Sequence, residues 1–304
     1  MPSNQSPLGA LPSRFKRERL LIIGCGDVGQ RVVRAQRHVR VLALTSSHER
    51  VAALRNQGVT PVVGNLDSPA SLQRLAGWAT RVLHLAPPPL QGVTDPRTLA
   101  LTRMLMRRSA PLSVVYGSTS GVYGDCAGAW VNESRGVNPI TPRAQRRVDA
   151  EARVRHLGRL RSSPVRVSVL RIPGIYAPDR EGGTPRDRLL RGTPVLAHED
   201  DVFTNHIHAD DLAHACQMAL WRGKPQRVYN VNDDSQMRMG DYFDMAADLY
   251  ALAKPSRISR AQAQTELPAM QLSFMSESRR MVNTRMKREL RLQLRYPRVE
   301  DGLV

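Results

Sequence analysis

Cysteine is scarce in this chain. Cys25, Cys126 and Cys216 are its only three, an odd number set too far apart for a metal-ligand pair or a disulfide framework. That pattern fits a reducing cytosol, with no metal site expected. Long apolar runs are missing too. No stretch comes near the roughly 20 residues needed to cross a bilayer, so no membrane association is expected. The opening "MPSNQSPLGALPSRFKRER" has basic residues but no apolar segment before a small-residue cleavage site, and residues 1–18 read as a disordered leader, not a signal peptide. Aromatics make up only 5% of the chain, with four phenylalanines, which leaves little for stacking nucleic-acid bases. Lysine is rarest for its class: Lys16, Lys224, Lys254 and Lys287 stand against 41 arginines in a total of 45. A formal charge of +18 would ordinarily suggest nucleic acid. Here the arginines are spread along the chain, and the densest run, "SRRMVNTRMKRELRLQLRYPR", reads as a solvated surface helix with leucines on its buried face. Nucleic acid is therefore not an expected partner.

What is present is a regular alternation. Strand-length apolar runs occur at "RLLIIG" (19–24), "VRVLALT" (39–45), "VTPVV" (59–63), "TRVLHLA" (80–86), "LSVVYGS" (112–118) and "VRVSVLR" (165–171). Helical patterns fall between them at "DVGQRVVRAQR", "SSHERVAALRNQG", "PASLQRLAGWA" and "RTLALTRMLMRR". Alternation of this kind predicts an α/β fold, a Rossmann doubly wound parallel sheet with right-handed crossovers. The pattern weakens from about Pro173 into loops rich in proline and glycine, then recovers at "DLAHACQMALW" and "RVYNVN". The expected organisation is a Rossmann domain over 19–172, completed by about 203–232, with a small C-terminal substrate lobe made of 173–202 and 233–304.

"GCGDVG" (24–29) sits directly between the first strand and the first helix. In that position Gly24 allows a tight turn, Gly26 lets the backbone approach a pyrophosphate, and Gly29 lets helix and sheet pack closely. The amides of Asp27, Val28 and Gly29 at the helix start then offer donors to phosphate. The bland alternative is a strand-turn-helix with no ligand. At the end of the second strand "LTSSHER" has no carboxylate to receive a ribose 2′-hydroxyl. Thr45, Ser46, Ser47 and Arg50 suit a 2′-phosphate instead, so NADP is expected over NAD. Ser46 followed by Glu49 equally fits a helix capping box.

With these residues in view the chain resembles an atypical extended short-chain dehydrogenase/reductase of the NAD-dependent epimerase/dehydratase family, from about residue 19 onward. "GNLDS" (64–68) resembles the family's turn after the third strand, with Asn65 in place of an aspartate and Leu66 beside it near the adenine. "HLAPPP" (84–89) resembles the exit of the fourth strand, which implies that Ala86 and Pro87 border the cofactor. "GSTSGVYGD" (117–125), "VLRIPGIYAPDR" (169–180) and "NHIHADDLAHA" (205–215) resemble further segments of sugar-nucleotide enzymes. The resemblance implies hydride transfer on a carbonyl or sugar-nucleotide-like substrate, with Thr119 at the Ser/Thr position that polarises the carbonyl. The family's Tyr-x-x-x-Lys-x-x-x-Glu pattern falls on Arg143, Arg147 and Glu151, spaced to share one helical face. Arg147 can still donate to a cofactor ribose, but Arg143 cannot pass a proton. Arg143 is expected to meet an anionic group of a small-molecule substrate, with Tyr176 also at the substrate. Glu151 is expected to neutralise one of the two arginines. His206 and His208 are expected to cap or satisfy the next helix. Two functional readings follow: an atypical reductase or epimerase, and a regulatory or scaffold protein that has kept the cofactor and lost the chemistry.

Overall fold

The computed structural model describes residues 18–36, 38–160 and 165–304; nearly all of the expected leader lies outside them. The central sheet has seven strands. They are β1 (Arg19–Ile23), β2 (Arg40–Thr45), β3 (Thr60–Val63), β4 (Arg81–His84), β5 (Ser113–Thr119), β6 (Arg166–Ile172) and β7 (Arg227–Asn230). Their spatial order is β7-β6-β5-β4-β1-β2-β3, and every pairing is parallel. Reversal of the order beside β1 is the topological switch of a doubly wound sheet, and it opens a crevice at the carboxyl ends of the strands.

Burial on both faces explains why the strands read as unbroken apolar runs. Leu20 and Ile22 face one side, where they join α1 (Asp27–Arg34) through Val32 and Val33. Leu21 and Ile23 face the other and meet α3 (Pro96–Leu105) and α4 (Pro142–Leu157) through Leu101, Ala150 and Val154. The period-two alternation of one strand thus fills two cores.

Several local expectations are corrected. No capping box forms at Ser46. The second helix, α2 (Arg50–Asn56), begins later, with Glu49 at its N-cap and no side-chain cap, because Thr45 instead receives the amide of Ser47 at 3.2 Å. The stretch after Ser68 is a 3₁₀ turn over Pro69–Leu75 and not an α-helix. The arginine-rich run is helical only over Thr284–Leu290. Upstream, Arg280 and Met281 pair with Trp130 and Val131 as a short parallel ladder, and Arg291 stops the helix in the left-handed region at φ 53°. Met286, Leu290 and Leu292 of this run are buried in the core that also holds Val32 of α1 and Leu212.

Beyond Pro173 the chain forms α5 (Arg186–Leu190), α6 (Ala209–Arg222) and α7 (Met239–Leu249). A smaller core gathers Tyr176, Leu189, Val195, Tyr242, Phe243 and Val299 from both segments expected in the substrate lobe. No helix among the described residues is long and apolar enough to cross a membrane.

Candidate active site

The glycine loop has the conformation its residues suggest. Gly24 has φ +83°, and a Cβ there would lie 2.4 Å from the amide nitrogen of Ala86, so only glycine fits between the ends of β1 and β4. A Cβ on Gly26 would meet nothing within 4 Å and would project into open space. A Cβ on Gly29 would lie 3.4 Å from the Cys25 sulfur, the Gly24 carbonyl and the Ile22 side chain. Gly26 is the N-cap of α1 and supplies no side-chain acceptor, so the first amides of that helix remain free for an anion.

Three adjoining clefts run along the carboxyl edge of the sheet. The first, of about 280 Å³, is bordered by Thr45, Ser46, Ser47, Arg50, Asn65, Leu66, Ala86 and Pro87. The second, of about 300 Å³, is bordered by Gly24, Gly26, Asp27, Val28, Gly29, Thr119 and Arg147. The third and largest, about 530 Å³, takes in Thr119, Arg143, Arg147 and Tyr176. Every residue expected at the cofactor or the substrate borders one of them, and Gly24, Pro87, Thr119 and Arg147 border two.

Each side chain also has prior engagements. Arg50 reaches across to donate to the Cys25 carbonyl, which ties the end of the second strand to the glycine loop. Asn65 receives the amide of Asp67 at 3.0 Å, and Asp67 is gripped by Arg97 at 2.6 and 2.7 Å. Asp27 receives Arg31 at 3.1 Å and Arg180 at 2.6 Å. Arg31 also donates to Asp179 and Asp210, both at 2.5 Å. This ionic cluster pins the loop after β6 over the start of α1.

Helix α4 resolves the arginine pattern differently from expectation. Thr141 caps it by accepting from the Ala144 amide, and Pro142 occupies the first turn, where a missing N–H is harmless. Arg143 is exposed at the cleft mouth. Arg147 donates to the Tyr116 hydroxyl at 3.1 Å and the Gly117 carbonyl at 2.8 Å. Glu151 has turned inward. It is 4% exposed and receives Ser118 at 2.6 Å and Arg171 at 2.8 and 3.2 Å. The expected neutralisation within α4 is therefore corrected: the carboxylate serves Arg171 on β6. Arg171 lies over the Tyr123 ring at 4.6 Å; burial lowers its guanidinium, but the bonds and charge of Glu151 together with Tyr123 raise it above the ordinary value.

The tyrosines near the cleft are committed elsewhere. Tyr123 donates to the Asn230 amide oxygen at 2.7 Å. Tyr176 borders the cleft, but its hydroxyl donates to the Arg298 carbonyl at 3.2 Å. Burial pushes all three phenols up: Tyr116 to about 12, and Tyr123 and Tyr176 above their usual range. His208 caps α6 by accepting from the Asp210 amide at 3.2 Å, as expected. His206 does not cap. Its ring lies 4.3 Å from that of Tyr242, its Nδ1 is buried without a partner, and burial lowers it to about 4. The cleft residues Arg97, Arg180, Arg188 and Arg279 are not singled out as site residues in the sequence. Only the three-dimensional fold brings them to the site.

A family model described as the TrkA-N domain matches residues 20–83. A solved structure described as a functionally unknown conserved protein from Silicibacter pomeroyi DSS is 30% identical. It covers 94% of this chain and 96% of that one, with a TM-score of 0.80. The chain belongs to the same family as that protein. Structures at lower identity share the fold. A UDP-glucose 4-epimerase from Thermotoga maritima with UDP-glucose is 17% identical, with a TM-score of 0.75 over 94% of this chain and 96% of that one. MoeE5 in complex with UDP-glucose and NAD is 20% identical, with a TM-score of 0.72 over the same shares. No curated protein sequence matches. Arg143 and Arg147 occupy the helix positions where the pattern of the family that the sequence resembles has tyrosine and lysine.

Proposed function

We propose that the protein binds a nicotinamide dinucleotide, NADP in preference to NAD, and acts as an atypical reductase or epimerase on an anionic carbonyl substrate. The observation that carries this reading is the run of three clefts, with the Gly24–Gly29 loop at its centre and Thr119 and Arg147 at the junction with the largest. The residues fit the cofactor. Gly26 leaves room where a pyrophosphate must approach, and the α1 amides lie beside it. Thr45, Ser46, Ser47 and Arg50 frame a 2′-phosphate position with no carboxylate bordering that cleft. Asn65, Leu66, Ala86 and Pro87 would border the adenine side.

When bound, the cofactor supplies or accepts a hydride. The chain's own part is positioning. Arg147, held by Tyr116 and Gly117, would hold the nicotinamide ribose. Thr119 would donate to the substrate carbonyl, and its hydroxyl now accepts the Gly121 amide at 3.3 Å. Arg143 at the cleft mouth would receive an anionic group. The expected lobe of 173–202 and 233–304 would close the substrate side. The test is a titration of NADPH and NADH, followed by a panel of anionic carbonyl compounds with NADPH oxidation as readout. Absence of dinucleotide binding sinks the reading. Binding without turnover of any carbonyl would favour a cofactor-dependent regulatory protein.

A further inference from the structure

The largest cleft holds a half-buried cation, Arg188, whose situation differs from that of the buried arginines with carboxylate partners and from that of Arg146, which donates to the Gly92 carbonyl. Arg31 and Arg171 each have carboxylate partners, and Arg279 is paired with Glu277 at 2.8 Å. Arg188, on α5, has none among the described residues. Its Nε and Nη2 are buried without a hydrogen-bond partner, and its guanidinium lies 4.3 Å from the centre of the Phe243 ring. Burial lowers its pKa, opposed by Tyr242 and reinforced by Arg191, with no carboxylate contributing. A cation that has lost water and gained no counter-charge weakens the fold, and such residues concentrate where a ligand completes them. Arg188 borders the largest cleft, and neither of the other two, together with Phe243, Tyr242, Met239 and Thr184.

We propose that Arg188 is an anion anchor within the substrate cleft, binding a phosphate or carboxylate group carried on an apolar or aromatic body. This rests on the reading of that cleft as the substrate site. The oxyanion would supply the missing counter-charge, and Phe243, Tyr242 and Met239 would cover the body. Thr119 and Arg147 face the junction with the cofactor cleft, so the anchored group lies away from the reacting carbon. The anchor then selects substrates by their remote end.

The probes are phenyl phosphate, benzoate and uncharged phenol, titrated calorimetrically into the full-length protein, with NADPH titrated separately. At least one oxyanion should bind, and Arg188→Gln should weaken it about tenfold or more, the scale of a charge-assisted pair. Phenol and NADPH affinities should stay within about twofold. A stronger effect on phenyl phosphate assigns a phosphate end, and one on benzoate a carboxylate end; either supports the proposal. Arg188→Met should raise the melting temperature while abolishing oxyanion binding, which separates loss of the anchor from loss of the fold. The proposal fails if neither oxyanion binds the wild type, if Arg188→Gln leaves oxyanion affinity within about twofold, or if Arg188→Met lowers the melting temperature. A wild type that binds the oxyanions but not NADPH would refute the cofactor reading and leave the anchor standing.

Discussion

Removing the Glu151 carboxylate tests how α4 is fastened to the sheet. Glu151 and Arg171 have side chains 6% and 5% exposed, and their shortest separation is 2.8 Å. Ser118 adds a bond of 2.6 Å to the same carboxylate. In Glu151→Ala, Arg171 would stay buried over the Tyr123 ring with no counter-charge. Breaking one partner of a buried pair costs about 3–5 kcal/mol, mostly the desolvation of the charge left behind. For a chain of this size that corresponds to a melting temperature lower by roughly 6–15 °C. The double variant Glu151→Leu/Arg171→Met removes both charges and keeps the volume, so it should recover most of the loss. Scanning calorimetry on the three proteins measures both quantities. NADPH affinity should be retained in the folded fraction, since Arg147 hangs from Tyr116 and Gly117 and not from Glu151. If the double variant is no more stable than Glu151→Ala, the orphaned charge is not the cause and the reasoning is wrong.

Gly26→Val should keep the melting temperature, because its side chain enters open space, yet abolish most dinucleotide affinity; an unchanged titration would remove the loop from the site. Arg50→Ala should shrink a preference for NADPH over NADH by about tenfold, the worth of one charge-assisted bond, and leave NADH binding little changed. Acid should destabilise the fold as pH falls below about 6.5, because burial lowers His84 to about 3 and His206 to about 4 while the unfolded chain protonates near 6.5. The unfolded state then binds more protons, so stability drops as pH falls through that window. Melting curves of His206→Gln should show a shallower slope between pH 4 and 6.5, and curves parallel to the wild type would refute the assignment.

How much of this was written in the sequence depends on how local the cause is. The sheet was legible because every strand but the half-exposed edge strand β3 is buried on both faces, and each declares itself within a few residues. The glycine loop was legible because Gly24, Gly26 and Gly29 act within one turn. Spacing also placed Arg143, Arg147 and Glu151 on one helical face, but a face is not uniformly exposed along its length. The start of α4 lies at the cleft mouth, while its third turn passes under β6, where Arg171 captures Glu151. That partner is set by how the helix crosses the sheet, which no local pattern encodes. Arg97, Arg180, Arg188 and Arg279 were invisible for the same reason: in an arginine-rich chain, nothing local distinguishes the few that converge on a cleft. The helix expected over the last basic run is shortened to Thr284–Leu290 because tertiary pairing of Arg280 and Met281 with Trp130 and Val131 overrides the spacing upstream.

The arginine pair sets the final expectation, which concerns protons. A guanidinium holds its proton throughout the working range, so Arg143 can bind an anion but cannot act as an acid. The phenols nearby do not take over. Tyr116 is pushed to about 12 by burial, Tyr123 is bonded to Asn230, and Tyr176 to the Arg298 carbonyl. His206 is already neutral above about pH 4. None of these phenols and guanidiniums, nor His206, changes charge between pH 6 and 9, so turnover that relies on them should be nearly flat across that range. Arg143→Ala should raise the KM for an anionic substrate by about tenfold while leaving NADPH affinity in place. Arg143→Tyr should not improve turnover, because a phenol there would face Arg147 but would lose the anion contact that holds the substrate. A rate profile with an ionisation near neutrality, removed by Tyr116→Phe or Tyr176→Phe, would show that a phenol carries the proton and that the arginine reading of this helix is wrong.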